Sequence, residues 1–469
     1  MGLAEPHARH QLGEQMVSYR PDPKILELGP DFYDPVEPAS FPKCVPRFTN
    51  EGWAERVGLD FDAEKWRRHF CRFEALPDNL QQPLAQRYHG HQFRVYNPEI
   101  GDGRGFTFAQ LRDDSDRLLD LGTKGSGLTP YSRTADGRLT LKGGVREVLA
   151  TEMLEALGVN TSKSFALFET GEALVRGDEP SPTRSSVLTR LSHGHIRIGT
   201  FQRLAFCGDA DNLKKLTRFC LANLYREQPA DDEAANALRL FDLAATATAR
   251  LAASYLAAGF VHGVLNSDNI NITGESFDYG PWRFTPYWDP EFTAAYFDHY
   301  GLYAFGRQPE AIHWDVAQLA GCLSLVADAP ALSDILANWS DRFDEALTGA
   351  LLRRLAVDPG ENDRKIAGAL VRALASRSHT IDRVFFDWRG GRDPGAELYP
   401  APVFREFAGL LGDRPPRPSH PYWSGGEPWS MHIEEVEAIW TSIAESDDWQ
   451  PFNNKVKAIR RMGDAMQAD

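Results

Sequence analysis

The sequence predicts an α+β protein built as two lobes, a small β-rich one followed by a larger helical one. Three observations point there. Residues 101 to about 200 alternate a Gly-rich turn with short apolar runs (FTFAQL, RLLDLGTK, SFALFET, SSVLTRL) around one helical stretch, VREVLATEMLEAL, stopped at Gly158. From residue 211 onward apolar residues recur at helical spacing, most clearly over 233 to 258, where Gly259 supplies the stop. A length of 469 residues, 42% hydrophobic and 25% charged, provides for a large core and excludes disorder, collagen and coiled coil.

In chain order, residues 21 to 47 carry Pro21, Pro23, Pro30, Pro35, Pro38, Pro42 and Pro46, so one continuous helix is impossible and an extended arm on the body is expected. After the alternating region, LTRLSHGHIRIGTFQR reads as strand-like with a turn at His193-Gly194-His195. FVHGVLNSDNINI and WRFTP read as short strands around turns, a small β insert among helices, and HWDVAQLAGCLSLV as a helix anchored by Trp314-Asp315. LGDRPPRPSHP, 411 to 421, marks a boundary before an aromatic, acidic tail ending in the basic amphipathic VKAIRRMGDAM. The expected division is an arm over 1–60, a β-rich N-lobe over 61–205, a helical C-lobe over 206–410 and an extension over 411–469.

Fifty-one Lys and Arg against 66 Asp and Glu give a formal charge of -15, which disfavours nucleic acid and anionic lipid as partners. Cys44, Cys71, Cys207, Cys220 and Cys322 are scattered, odd in number and without CxxC spacing, so they are expected to be reduced and mostly in the core. The first residues lack an apolar h-region and include Glu5, Pro6 and Glu14, and no apolar run reaches membrane-spanning length; a cytoplasmic protein without membrane contact is expected.

The sharpest local feature is VHGVLNSDNINITGESFDYG, 261 to 280. His262-Gly263, then Asn269, then Asp278 in Asp-x-Gly reproduce the spacing of a kinase catalytic loop and its metal-binding Asp. An amide oxygen and a carboxylate are hard ligands suited to Mg2+ on nucleotide phosphates, which makes Asn269 and Asp278 metal candidates. An Asn/Asp-rich turn is the plain alternative. Where kinases place the proton-accepting Asp after His-Gly, this chain has Val264, which cannot take a proton; a carboxylate returns at Asp268. Upstream, IGDGRGFTFAQL offers Gly101 and Gly103 for close backbone approach to an anion and Arg104 for charge. Lys124 ends an apolar run, and Glu147 falls in the first turn of VREVLATEMLEAL. Gly loop, strand Lys, helix Glu is the kinase order, in which the Lys pairs with the Glu. Finally, no carboxylate lies between Glu179 and Asp209, while Arg184, Arg190, Arg197 and Arg203 do. A turn at Gly194 would let Arg190 and Arg197 converge as a polyphosphate clamp; solvated arginines on an edge strand are the alternative. His89 and His91 in YHGHQF lack further ligands and read as structural.

YHGHQF, GDGRG, KGSGLTPYSR, ADGR, LTR, HIRIGTFQR and HGVLNSDNINI, in this order over about 26 to 325, resemble the selenoprotein O family of protein adenylyltransferases. The resemblance implies a bilobal protein-kinase-like fold that binds ATP in a flipped orientation and, with Mg2+ or Mn2+, transfers AMP to Ser, Thr or Tyr of protein substrates. It further implies that Gly101, Gly103, Arg104, Asp136 and Gly137 contact the nucleotide and that Lys124 holds phosphates and pairs with Glu147. Arg190 and Arg197 would hold the terminal phosphate, Asp268 would accept the proton, and Asn269 and Asp278 would bind the metal. Arg94, Ala135 and Gly143 depart from the family pattern, and so does the tail from HPYWSGGEPWS, which lacks the family's terminal Cys or selenocysteine. Ordinary γ-phosphoryl transfer and a catalytically silent nucleotide-binding scaffold are the competing readings.

Overall fold

The computed structural model describes residues 17–177, 179–412 and 420–468. Its first half is organised by one antiparallel sheet. In chain order the strands are β1 (Tyr33–Pro35), β2 (Val45–Thr49), β3 (Leu84–Gln86), β4 (Gly90–Gln92), β5 (Val95–Asn97), β6 (Thr107–Arg112), β7 (Leu118–Lys124), β8 (Leu139–Thr140), β9 (Lys163–Leu174) and β10 (Thr183–Ser192). The sheet runs β1-β3-β6-β7-β10-β9-β2, β8 also pairs with β10, and β4-β5 form a separate hairpin. The proline-rich arm thus supplies both edge strands. Proline is tolerated there because an edge residue can leave its missing N–H unpaired.

Helices α1 (Glu51–Arg56) and α2 (Ala63–Phe70) cover one face of the sheet, where Trp53, Trp66, Phe70, Phe108 and Phe165 share a core. On the other face lies α3 (Leu141–Ala156). It starts before Val145, because the Thr140 side chain caps the Gly143 N–H, and so Glu147 sits in the second turn rather than the first. Gly144 lets α3 close onto the sheet: a Cβ there would stand 2.4 Å from the Leu167 side chain.

The second half is helical: α4 (Ile198–Phe206), α5 (Ala210–Phe219), α6 (Glu233–Ala258), α7 (Gln308–Leu323), α8 (Ala329–Ala337), α9 (Trp339–Leu355), α10 (Asp363–Ala375), α11 (Ile381–Asp387), α12 (Pro402–Leu411), α13 (Ile433–Ser446) and α14 (Gln450–Ala468). The hairpin-like pair β11 (Phe260–Val261) and β12 (Arg283–Phe284) is the expected β insert. Helix α6 coincides with its predicted span and ends on Gly259 at φ 69. IGTFQR, expected as strand, is helix α4 instead; Ile198, Phe201 and Leu204 come on one helical face and are buried.

The cysteine expectation is corrected in part. Cys44 and Cys71 form a disulfide that ties the arm to the end of α2, while Cys220 and Cys322 are buried free thiols and Cys207 is exposed. A separation of 27 residues gives no sequence signal for such pairing. Most of the Pro-rich boundary, and the residues read for a targeting signal up to 16, lie outside the described residues. Among the described residues no helix is long and apolar enough to cross a membrane.

Candidate active site

A cleft of about 340 Å³ opens between the turn 101–105, the end of β7, strand β10, the start of α4 and the segment 268–278. Gly101, Gly103, Arg104, Lys124, Arg190, Arg197, Asp268 and Asp278 all line it. These residues come from five separate stretches of chain, and the sheet gathers them: β7 and β10 are neighbours, with Arg190 opposite Gly122.

Lys124 is the hub. Its Nζ pairs with the Glu147 carboxylate from α3 and, at 2.6 Å, with Asp278 Oδ1. Arg190 Nη1 reaches the same Oδ1 at 3.2 Å. Burial alone would push the Asp278 carboxyl up, but Lys124, Arg190 and Arg104 together hold it well below the ordinary carboxylate range. Asp278 takes a left-handed φ of 64, a conformation a non-glycine residue keeps only where its surroundings impose it. Behind it, the buried His262 ring presents Nε2 to the Phe277 carbonyl at 3.0 Å, joining the two halves of the loop.

Arg190 and Arg197 converge as the turn at Gly194 (φ 78) requires. Both are at least nine-tenths buried, and Arg190 Nε has no hydrogen-bond partner among the described residues. The Arg197 guanidinium lies between the rings of Tyr88 (4.1 Å) and Phe277 (5.0 Å). Its Nη1 donates to the Asp268 carbonyl at 3.3 Å and its Nη2 to Asp102 Oδ1 at 3.4 Å. Arg184 and Arg203 stay apart: the first pairs with Glu169 and Asp447, the second donates to the Asp31 carbonyl.

Asp268 is buried in the turn that follows Asn266, and its Oδ1 has no hydrogen-bond partner among the described residues. Burial raises its carboxyl to about 6, against the pull of Arg197. Gly90 of β4 leaves room for it, since a Cβ there would come to 3.1 Å from Asp268 Cβ. Next to it Asn269 donates through Nδ2 to the Val264 carbonyl at 3.0 Å, which leaves the amide oxygen available. Asp136 stands away from the cleft wall, paired with Arg176 at 2.8 Å, and Gly137 (φ 68) packs on the Gly127 backbone; Arg133 and Ala135 of that turn line the cleft. His89 and His91 bond Tyr96 and Gln202, as structural histidines do.

The chain matches the family described as protein adenylyltransferase SelO over residues 15–391. It belongs to that family. Curated relatives share nearly the whole length. A protein nucleotidyltransferase YdiU of Gloeobacter violaceus is 42% identical, covering 94% of this chain and 95% of its own. Those of Synechocystis sp. and Trichodesmium erythraeum are 39% and 40% identical, covering 94% and 96% of this chain. The chain is therefore a nucleotidyltransferase that adenylylates protein, with ATP as the adenylyl donor this activity implies.

Sequence reasoning missed Asp102, Tyr88 and Tyr131, all on the cleft wall. Asp102 lies inside the GDGR string, where an Asp between glycines is ordinary turn chemistry and its contact with Arg197 leaves no local signal. Tyr131 explains Gly101 differently: a Cβ at 101 would fall 2.4 Å from the Tyr131 ring, so that glycine makes room for an aromatic side chain.

Proposed function

We propose that the enzyme has a kinase-like, two-lobed build, with the sheet as N-lobe and α4 to α12 as C-lobe, and that it uses the cleft to transfer AMP from ATP to a Ser, Thr or Tyr hydroxyl. The observation that carries this reading is Asp268, a buried carboxyl with a free oxygen on the cleft wall, beside a Val264 that cannot serve as base. Arg190 and Arg197 hold the terminal phosphate, and Lys124, fixed by Glu147, holds another phosphate. The glycine turn 101–105 and Arg104 close over the nucleotide, with Asp136 and Gly137, beside the lining residues Arg133 and Ala135, as further nucleotide-binding positions.

In the reaction the acceptor oxygen attacks the α-phosphorus while its proton passes to the Asp268 carboxylate. The bond from the α-phosphorus to the bridging oxygen breaks, and pyrophosphate leaves. Asn269 and Asp278 would supply an amide and a carboxylate oxygen, a donor set that fits Mg2+ or Mn2+. Such an ion neutralises phosphate charge when bound.

ATP labelled separately on its α and γ phosphates tests the reading. Protein should acquire only the α label, with pyrophosphate released. Protein carrying γ label, with ADP accumulating, would return the chain to ordinary kinase chemistry.

A further inference from the structure

Between β12 and α7 the chain forms a closed loop. Phe305 N–H donates to the Phe292 carbonyl and Gly306 N–H to the Pro290 carbonyl, each at 2.9 Å, which pinches residues 293–304 at the neck. The loop is also pinned from within, because Asp298 accepts from the Leu302 and Tyr303 N–H groups at 2.8 Å. Its inner ring, Tyr303, donates to Asn266 Oδ1 at 2.7 Å in the turn that carries Asp268. Phe93, from the β4-β5 hairpin, gives its N–H to that same oxygen at 3.0 Å and packs on Tyr303 and Phe297.

The outer side of this rigid loop is different. Tyr296, Phe297 and Tyr300 are 81%, 41% and 92% exposed. Loop closure and anchoring use backbone groups, Asp298, Tyr303 and one edge of Phe297, so the rings of Tyr296 and Tyr300 are left out of them. Large aromatic side chains left in water on a rigid support mark a surface that another molecule covers.

We propose that this loop is the platform on which the acceptor polypeptide lies: an extended segment packs an apolar side chain on Tyr296 and Tyr300 and so brings a neighbouring hydroxyl to Asp268. The inference rests on Asp268 as proton acceptor. Continuity argues for a polypeptide, since Phe93, Tyr303 and Asn266 connect the exposed rings to the reacting end of the cleft, and the family's reaction requires a protein there. Exposed aromatic rings take apolar and aromatic partners, so an apolar segment fits.

The test uses the full chain, α-labelled ATP and synthetic peptides with a fixed Ser, Thr or Tyr and randomised flanks. Labelled peptides should be enriched in Leu, Phe and Tyr near the acceptor. Tyr296→Ser with Tyr300→Ser should raise KM for an enriched peptide about tenfold and erase the apolar preference, while the Kd for ATP, measured by calorimetry, stays at the wild-type value. Asp268→Asn separates the two readings. With the platform right, it stops labelling yet binds the enriched peptide as wild type does; if it still labels peptide, the base is wrong while the platform stands. Absence of any labelled peptide, labelling without flank preference, or a wild-type KM in the double variant overturns the proposal.

Discussion

A carboxyl raised to about 6 can act as a base only above that pH, which fixes the sign of one expectation for Asp268. Below the shifted value it holds a proton and cannot take another, so AMP transfer should climb as pH rises through about 6 and level off above it. Asp268→Asn should lower kcat by about two to four orders of magnitude across the range with little change in ATP affinity. A pH profile that is flat between 5 and 8 would remove Asp268 from the proton path. Arg197 makes a different demand. Losing a charge-assisted contact costs about 1.5 to 3 kcal/mol, so Arg197→Ala should weaken ATP about ten- to a hundredfold and leave AMP almost unchanged. Calorimetry with both nucleotides decides it, and equal small changes would mean the guanidinium only fills the space between Tyr88 and Phe277. At this scale the sequence was legible where spacing brings charged side chains together, as for Lys124, Glu147 and Asp278, which pair in the structure. It was not legible for Asp102 or Tyr88, whose importance comes from packing and pairing against Arg197 across the chain.

Helix α3 carries Glu147, so whatever fixes α3 also fixes Lys124. The C-terminal helices do this. Arg460 of α14 grips the buried Glu152 carboxylate with two bonds of 2.7 Å, Lys142 pairs with Glu437 of α13 at 2.7 Å, and Gly463 lies against Ala156. Arg460→Ala leaves Glu152 buried without its cation, and chemical denaturation should show a loss of about 1 to 3 kcal/mol, the lower end reflecting the half-exposed arginine. The arm is tied down in another way. The Cys44–Cys71 bridge closes 27 residues, and loop entropy gives it about 3.5 kcal/mol, so a reductant should lower the unfolding midpoint. A midpoint unmoved by reductant would mean that the unfolded chain gains little from opening the loop. Among elements, α6 was legible to the residue because an amphipathic pattern ends at a glycine that can adopt positive φ. The start of α3 and the whole of α4 were not: LKGG opens with two glycines, and IGTFQR has β-branched residues whose burial, not propensity, decides the helix.

Over the whole molecule, one hydrophobic core runs from Ile25 in the arm through Val145 and Leu149 of α3, Phe201 of α4 and Leu240 of α6 to Ile459 of α14. The sheet half and the helical half are thus joined by shared packing, which no local pattern announces, because it depends on residues more than four hundred positions apart. The cleft straddles this core, with Lys124 and Arg190 on the sheet and Asp268 and Asp278 on the helical side. A ligand held by both sides stabilises both against unfolding. At a hundred times its Kd, ATP should add about 2.7 kcal/mol, a rise of a few degrees in Tm for a chain of this size. Calorimetry should therefore show the sheet and α6 melting in one transition that moves upward with ATP, while Arg197→Ala loses most of that shift with ATP and keeps the smaller one with AMP. Two separated transitions, only one of which responds to nucleotide, would mean that the sheet half and the helical half unfold independently and that the nucleotide is held from one side alone.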